Sequence, residues 1–142
     1  MKRTIELLAL LAGVALVVFL HRPTPQLAVD GVRLGDSETQ VRDLLGPPDY
    51  AEHRLWAYDE RRELQFGEDG RVRSISGLRL SHGERHFDGD TTEAELTALY
   101  GPPQRIDRPG CGWAAGWRDF GLFQVNFDPN NGQVHSYTLQ AR

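Results

Sequence analysis

Two histidines four residues apart, in His82-Gly83-Glu84-Arg85-His86, are the nearest thing in this chain to metal-ligand spacing. On one helical face such a pair can hold zinc. Gly83 works against a helix there, Asp88 and Asp90 belong to a loop, and no third ligand follows at a metal-site spacing. The segment is therefore read as a solvated loop between the two halves. A thiol becomes a nucleophile only where a base makes it a thiolate. Cys111 is flanked by Gly110 and Gly112, and His135 is the only histidine downstream of it. It is read as a loop thiol, with an intermolecular disulfide as its remaining chemistry. No Gly-x-Ser-x-Gly elbow occurs for a hydrolase triad. The glycines fall at caps and turns rather than in a phosphate-cradling loop. Asp128 to Asn131 lacks the further ligands of a calcium loop and reads as a hairpin turn. The expectation is no catalytic residue, no metal, no cofactor and no small-molecule substrate.

The aromatic residues carry more information. Trp56, Tyr58, Trp113, Trp117, Phe120 and Tyr137 are many for so small a domain. About half should fill the core, and the rest should show on a sheet face beside Arg54, Arg62, Arg71, Arg73 and Glu63. Trp, Tyr and Arg dominate interface energetics, so Trp56, Tyr58, Arg62, Arg73, Trp113 and Trp117 are the candidate partner-binding residues. Charge narrows the partner. The 142 residues include 16 basic and 20 acidic ones, a net of -4, and without Lys2, Arg3, Glu6 and Arg22 the remainder is near -6. Nucleic-acid binding rests on clustered Lys and Arg, so a nucleic-acid partner is not expected. A single cysteine excludes an intrachain disulfide framework.

Those residues need elements to position them, and the first element is separate from the rest. Met1-Lys2-Arg3 precedes an apolar run of 14 residues, Leu7 to Leu20. At about 1.5 Å per residue it spans about 21 Å, short of the roughly 30 Å hydrocarbon core. Extension from Thr4 to His21, with Glu6 and Arg22 snorkelling outward, brings it close to a span. Residues 1–22 read as a signal anchor, and a signal peptide cut after Gln26-Leu27-Ala28 is the alternative. Lys2 and Arg3 hold the N-terminus in the cytoplasm. The remainder is then the periplasmic domain of a single-pass inner-membrane protein, or a secreted protein if the leader is cut. Residues 23–28, containing Pro23 and Pro25, form a linker, and residues 29–142 form one domain.

Two segments 55 residues apart organise that domain: Asp36 to Pro48 and Thr91 to Pro103. Ser37 with Gln40, and Thr92 with Glu95, have the spacing of capping boxes. Val41, Leu44 and Leu45, and again Leu96, Leu99 and Tyr100, form an i, i+3, i+4 stripe. Gly46 and Gly101 suit helix ends, and the following proline pairs prevent continuation. Downstream, Phe66 to Ser74 and Phe127 to Ser136 each read as a hairpin turning at Asp69-Gly70 or Asn131-Gly132. Phe123, Val125 and Phe127 alternate with Gln124 and Asn126, one face buried and one solvated. Aromatic stretches at Leu55 to Tyr58 and Trp113 to Trp117 supply a third strand to each unit. Residues 31–76 and 77–142 are thus read as tandem repeats. The expected class is α+β: two helix-plus-three-strand repeats forming one antiparallel sheet packed by helices, preceded by an N-terminal hydrophobic helix.

This pattern resembles the BamE (SmpA/OmlA) superfamily, whose fold is similar to that of the beta-lactamase inhibitory protein, itself a tandem of such units. The first half matches at Leu34, Gly35, Val41, Leu45, Gly46, Pro48, Trp56, Tyr58, Phe66, Gly70 and Val72. The second matches at Leu96, Leu99, Gly101, Pro103, Trp117, Phe127, Gly132 and Val134. The resemblance implies a non-catalytic, envelope-exposed protein-binding module that assists assembly or maintenance of membrane proteins, with an envelope protein as partner. Its alternative is an anchored or secreted inhibitor of a periplasmic or extracellular enzyme. The chain departs from the assembly-factor members in lacking a lipobox cysteine.

Overall fold

The computed structural model describes residues 26–107, 113–117 and 122–141. The N-terminal hydrophobic segment, Cys111 and Phe120 lie outside the described residues. The chain runs β1 (Leu27–Val29), α1 (Glu38–Leu45), β2 (Tyr50–Glu52), β3 (Leu55–Ala57), β4 (Glu63–Phe66), β5 (Val72–Gly77) and β6 (Leu80–His82). It continues through β7 (Arg85–Phe87), α2 (Glu93–Tyr100), β8 (Arg105–Asp107), β9 (Trp113–Trp117), β10 (Leu122–Phe127) and β11 (Val134–Gln140).

Both helices start and stop where the sequence sets them. Ser37 Oγ accepts from Gln40 N–H at 3.2 Å while Gln40 Oε1 accepts from Ser37 N–H at 2.8 Å. Thr92 and Glu95 repeat the exchange at 3.2 and 2.8 Å. Gly46 and Gly101 end the helices at φ 79° and 78°, a conformation that disfavours a side chain. The apolar stripe is narrower than expected. Val41 and Leu96 are fully buried, but Leu44 and Leu99 are 55% and 43% exposed. An eight-residue helix lying on a sheet buries the i, i+4 line, and i+3 swings away from it.

An eight-stranded sheet has the order β2-β3-β4-β5-β11-β10-β9-β8, antiparallel throughout, with β5 and β11 paired at its centre. One row crosses it through Trp56, Leu64, Ile75, Leu139, Phe123 and Trp117, all buried. Bulges interrupt the register at Gln65/Phe66 and Asn126/Phe127, leaving Arg73 and His135 as the extra residues on β5 and β11. A second sheet, β1-β6-β7, places Val29, Leu80 and Phe87 in the same core as Val41 and Leu96. β1 reverses through Asp30 and Gly31 at φ 49° and 83°, the two positive-φ positions of a type I′ turn. Helices and small sheet thus cover one face of the large sheet.

The expected α+β class of two helix-plus-three-strand repeats sharing one sheet is overturned. Among the described residues the protein is mostly β, in two sheets, with only two short helices. The misreading has a physical source. β1, β2, β6, β7 and β8 each have three residues, too few for a two-residue period to be read. His82 to His86, expected as a solvated loop, belongs to a hairpin because Leu80 to His82 also pairs with β1 on its other edge. β1 also takes in Leu27 and Ala28, which the sequence reading assigned to the linker.

Candidate functional site

Among the described residues, the face of the large sheet that helices and small sheet leave uncovered follows from strand parity. If Trp56, Leu64, Ile75, Leu139, Phe123 and Trp117 face the helices, their neighbours face away. Glu63, Ser76, Thr138 and Gln124 form one cross-strand row on that outer side, and Gln65, Ser74 and Gln140 form the next. Glu63, Gln65, Gln124 and Gln140 are exposed, and the hydroxyl residues between them are half-buried. Side chains bond to each other along the surface. Ser76 Oγ lies 2.5 Å from Thr138 Oγ1, Gln124 Nε2 donates to Asn126 Oδ1 at 2.9 Å, and Asn126 Nδ2 donates to Ser136 Oγ at 2.9 Å. Leu55 and Ala57, both half-buried, continue the face toward β3. The two rows run on through Ala57 and Leu55 to Tyr50 and Glu52, and through Gly116 to Arg105, so hydroxyls and amides hold the middle of the face and Glu52, Glu63 and Arg105 are its charged positions.

The expected aromatic docking face is corrected by burial. Trp56, Tyr58 and Trp117 are 4%, 9% and 2% exposed, inside the core on the helix side. The polar atoms of Tyr58 and Trp117 finish the helices. Tyr58 OH donates to the Gly46 carbonyl and Trp117 Nε1 to the Gly101 carbonyl, each at 2.9 Å. Helix-end carbonyls have no intrahelical donor, so each aromatic ties a helix C-terminus to the sheet. Arg42 lies over the Trp56 ring at 4.7 Å, adding a cation–π contact. Burial raises the Tyr58 hydroxyl pKa, with Arg42 opposing it, and raises that of Tyr100, with Arg85 opposing. Tyr137, fully buried with its OH on the Asp88 carbonyl at 2.7 Å, is pushed up to about 12 by burial above all.

The other candidates scatter. Trp113 stands in β9 opposite Phe127. Arg73 occupies the β5 bulge and is exposed. Arg62 is held structurally: its Nε lies 3.0 Å from Asp30 Oδ2 and 3.9 Å from Asp59 Oδ2. His82 and His86 cannot share a metal through one face, because Ser81 pairs with His86 and His82 with Arg85, which sets the two histidines on opposite sides of the hairpin. His82 Nδ1 instead meets Tyr100 OH at 2.9 Å, and His86 Nδ1 meets Ser81 Oγ at 3.0 Å.

Asp30 is the residue that sequence reasoning missed. Its carboxylate accepts from Leu78 N–H at 3.0 Å and Arg79 N–H at 3.1 Å as well as facing Arg62. A Cβ at Gly77 would stand 2.3 Å from Asp30 Oδ2, so glycine there makes room for the clamp. The Asp30-Gly31 dipeptide was the available signal, since Asp-Gly marks a two-residue turn.

No protein-family model matches this chain, and no curated protein matches it. Among solved structures it is similar to the crystal structure of a DUF4309 family protein (YjgB) from Bacillus subtilis subsp. subtilis str. 168. The two share 13% sequence identity with a TM-score of 0.50, over 75% of this chain and 79% of that one. At that identity the likeness is one of fold alone. No BamE-like family is shown by these comparisons.

Proposed function

We propose that the protein is a non-catalytic protein-binding module of the cell envelope, anchored by its N-terminal segment with the folded domain in the periplasm, and assisting assembly or maintenance of membrane proteins. One observation carries this reading: the centre of the outer face of the eight-stranded sheet is built of hydroxyls and amides pre-ordered by their own hydrogen bonds, with the charged residues Glu52, Glu63 and Arg105 on the strands to either side. Interface centres are depleted of charged residues, and a surface already ordered loses little side-chain entropy on docking. The motif likeness to the BamE superfamily supports the same class. The alternative, an inhibitor released by a cut after Ala28, is disfavoured because that cut would remove Leu27 and Ala28 from β1, where they pair with His82 and Ser81. The test is affinity capture from detergent-solubilised envelopes with sequencing of the mature N-terminus. A membrane-protein partner recovered with an uncut leader is expected; a tight one-to-one complex with a soluble enzyme, on a protein beginning after Ala28, would replace this reading by the inhibitor.

A further inference from the structure

On the covered side of the molecule, an open cleft of about 680 Å³ lies between the end of α1, the β5–β6 connection and the β7–α2 loop. Three arginines line it, Arg61, Arg62 and Arg79, against two aspartates, Asp30 and Asp88, so one positive charge is left over with histidine counted neutral. That excess stands out in an acidic chain of net -4. The charges are not equivalent. Asp30 accepts from two backbone N–H groups and lies 3.0 Å from Arg62 Nε, so the charges of that pair offset one another. Arg61 and Arg79 are exposed and, among the described residues, neither lies within ion-pair distance of a carboxylate. Asp88 Oδ1 accepts from Asp90 N–H at 3.1 Å. Leu45, Leu78 and Val134 add apolar wall beside these groups.

We propose that this cleft binds a single carboxylate carried beside an apolar side chain on an extended peptide. Guanidinium forks fit carboxylates bidentately, and one surplus positive charge matches a monoanion better than a phosphate dianion. The apolar wall takes the neighbouring side chain, and the open shape admits a chain passing through. A C-terminal carboxylate and an Asp or Glu side chain are two sources of the same group. The site is separate from the polar sheet face, so it stands or falls apart from the proposed function.

Three fluorescent peptides titrated onto the full-length protein in detergent micelles test it: one ending in leucine with a free carboxylate, the same peptide amidated, and an amidated peptide with Glu between two leucines. Saturable binding is expected for at least one carboxylate peptide, and the arm that binds identifies the source. The amidated control should bind at least about tenfold more weakly, the order of loss when a charge-assisted hydrogen bond is removed. Arg61→Gln/Arg79→Gln should weaken binding by about tenfold or more at unchanged Tm, while Ser76→Arg/Thr138→Arg should leave it intact. The proposal is overturned if no carboxylate peptide binds, if the arginine double variant binds like wild type, or if inorganic phosphate displaces the peptide at lower concentration than acetate does.

Discussion

Tyr58 and Trp117 show what aromatic side chains do at the residue scale in this protein: each spends its single donor on a helix-end carbonyl. Their identity was legible in the sequence, but their face was not. Leu55-Trp56-Ala57-Tyr58 is apolar at every position, so alternation could not choose between core and surface. Phe123 to Phe127 alternates cleanly, and there the reading of buried Phe123, Val125 and Phe127 agrees with the structure. Asp30 was invisible for a different reason, since its partners Arg62, Leu78 and Arg79 are 32 or more residues away. Asp30→Ala leaves two backbone N–H groups without their acceptor and Arg62 without its neighbouring charge, and is expected to cost about 2–4 kcal/mol, measured by denaturant unfolding. Tyr137 sets a pH limit. Its folded pKa, about 12, lies above the ordinary 10.0, so the unfolded chain loses this proton first as pH rises. The stability it contributes is complete below pH 10 and falls between 10 and 12, by about 2–3 kcal/mol at about 1.4 per unit. Tyr137→Phe should flatten that alkaline loss, and an equal loss in the variant would assign it elsewhere.

At the scale of elements, the helices were the legible part because their signals are local. Cap, capping box and stop all lie within a few residues of one another, and both helices begin and end at them. Ser37→Ala and Thr92→Ala should each lower stability by about 1 kcal/mol. Ser37 closes a second contact: it forms an isolated bridge with Arg71, and Asp36 O accepts from Val72 N–H at 2.9 Å. The Ser37 cap therefore also fixes where α1 starts relative to β5, and hydrogen exchange in Ser37→Ala should report faster opening at Gly35 and Val72. Faster exchange confined to the first turn of α1 would reduce the cap to a local role. The short strands were illegible because pairing, rather than sequence period, makes them. Arg105-Ile106-Asp107 is a strand because it pairs with Gly116, Ala115 and Ala114.

At the scale of the whole molecule, helices and small sheet cover one sheet face and no other described element covers the second, and this asymmetry separates the residues that hold the fold from those that could serve a partner. A variant at the wrong layer would mislead. Trp56→Ala should cost about 3–5 kcal/mol as a core deletion, so any loss of capture it causes would come with loss of structure. Ser76 and Thr138 lie at the middle of the sheet, on the paired central strands β5 and β11, half-buried and bonded to one another. Ser76→Arg/Thr138→Arg sets two like charges at the centre of the face, where Glu63 opposite Ser76 can offset only one of them. Only the one hydroxyl pair is lost from the fold, which predicts a stability change of about 1–2 kcal/mol. Capture from solubilised envelopes should nevertheless disappear, because the second charge, desolvated without a counter-ion, costs several kcal/mol at an interface centre. Capture that survives in this variant while failing in Arg61→Gln/Arg79→Gln would move the partner from the sheet to the arginine cleft.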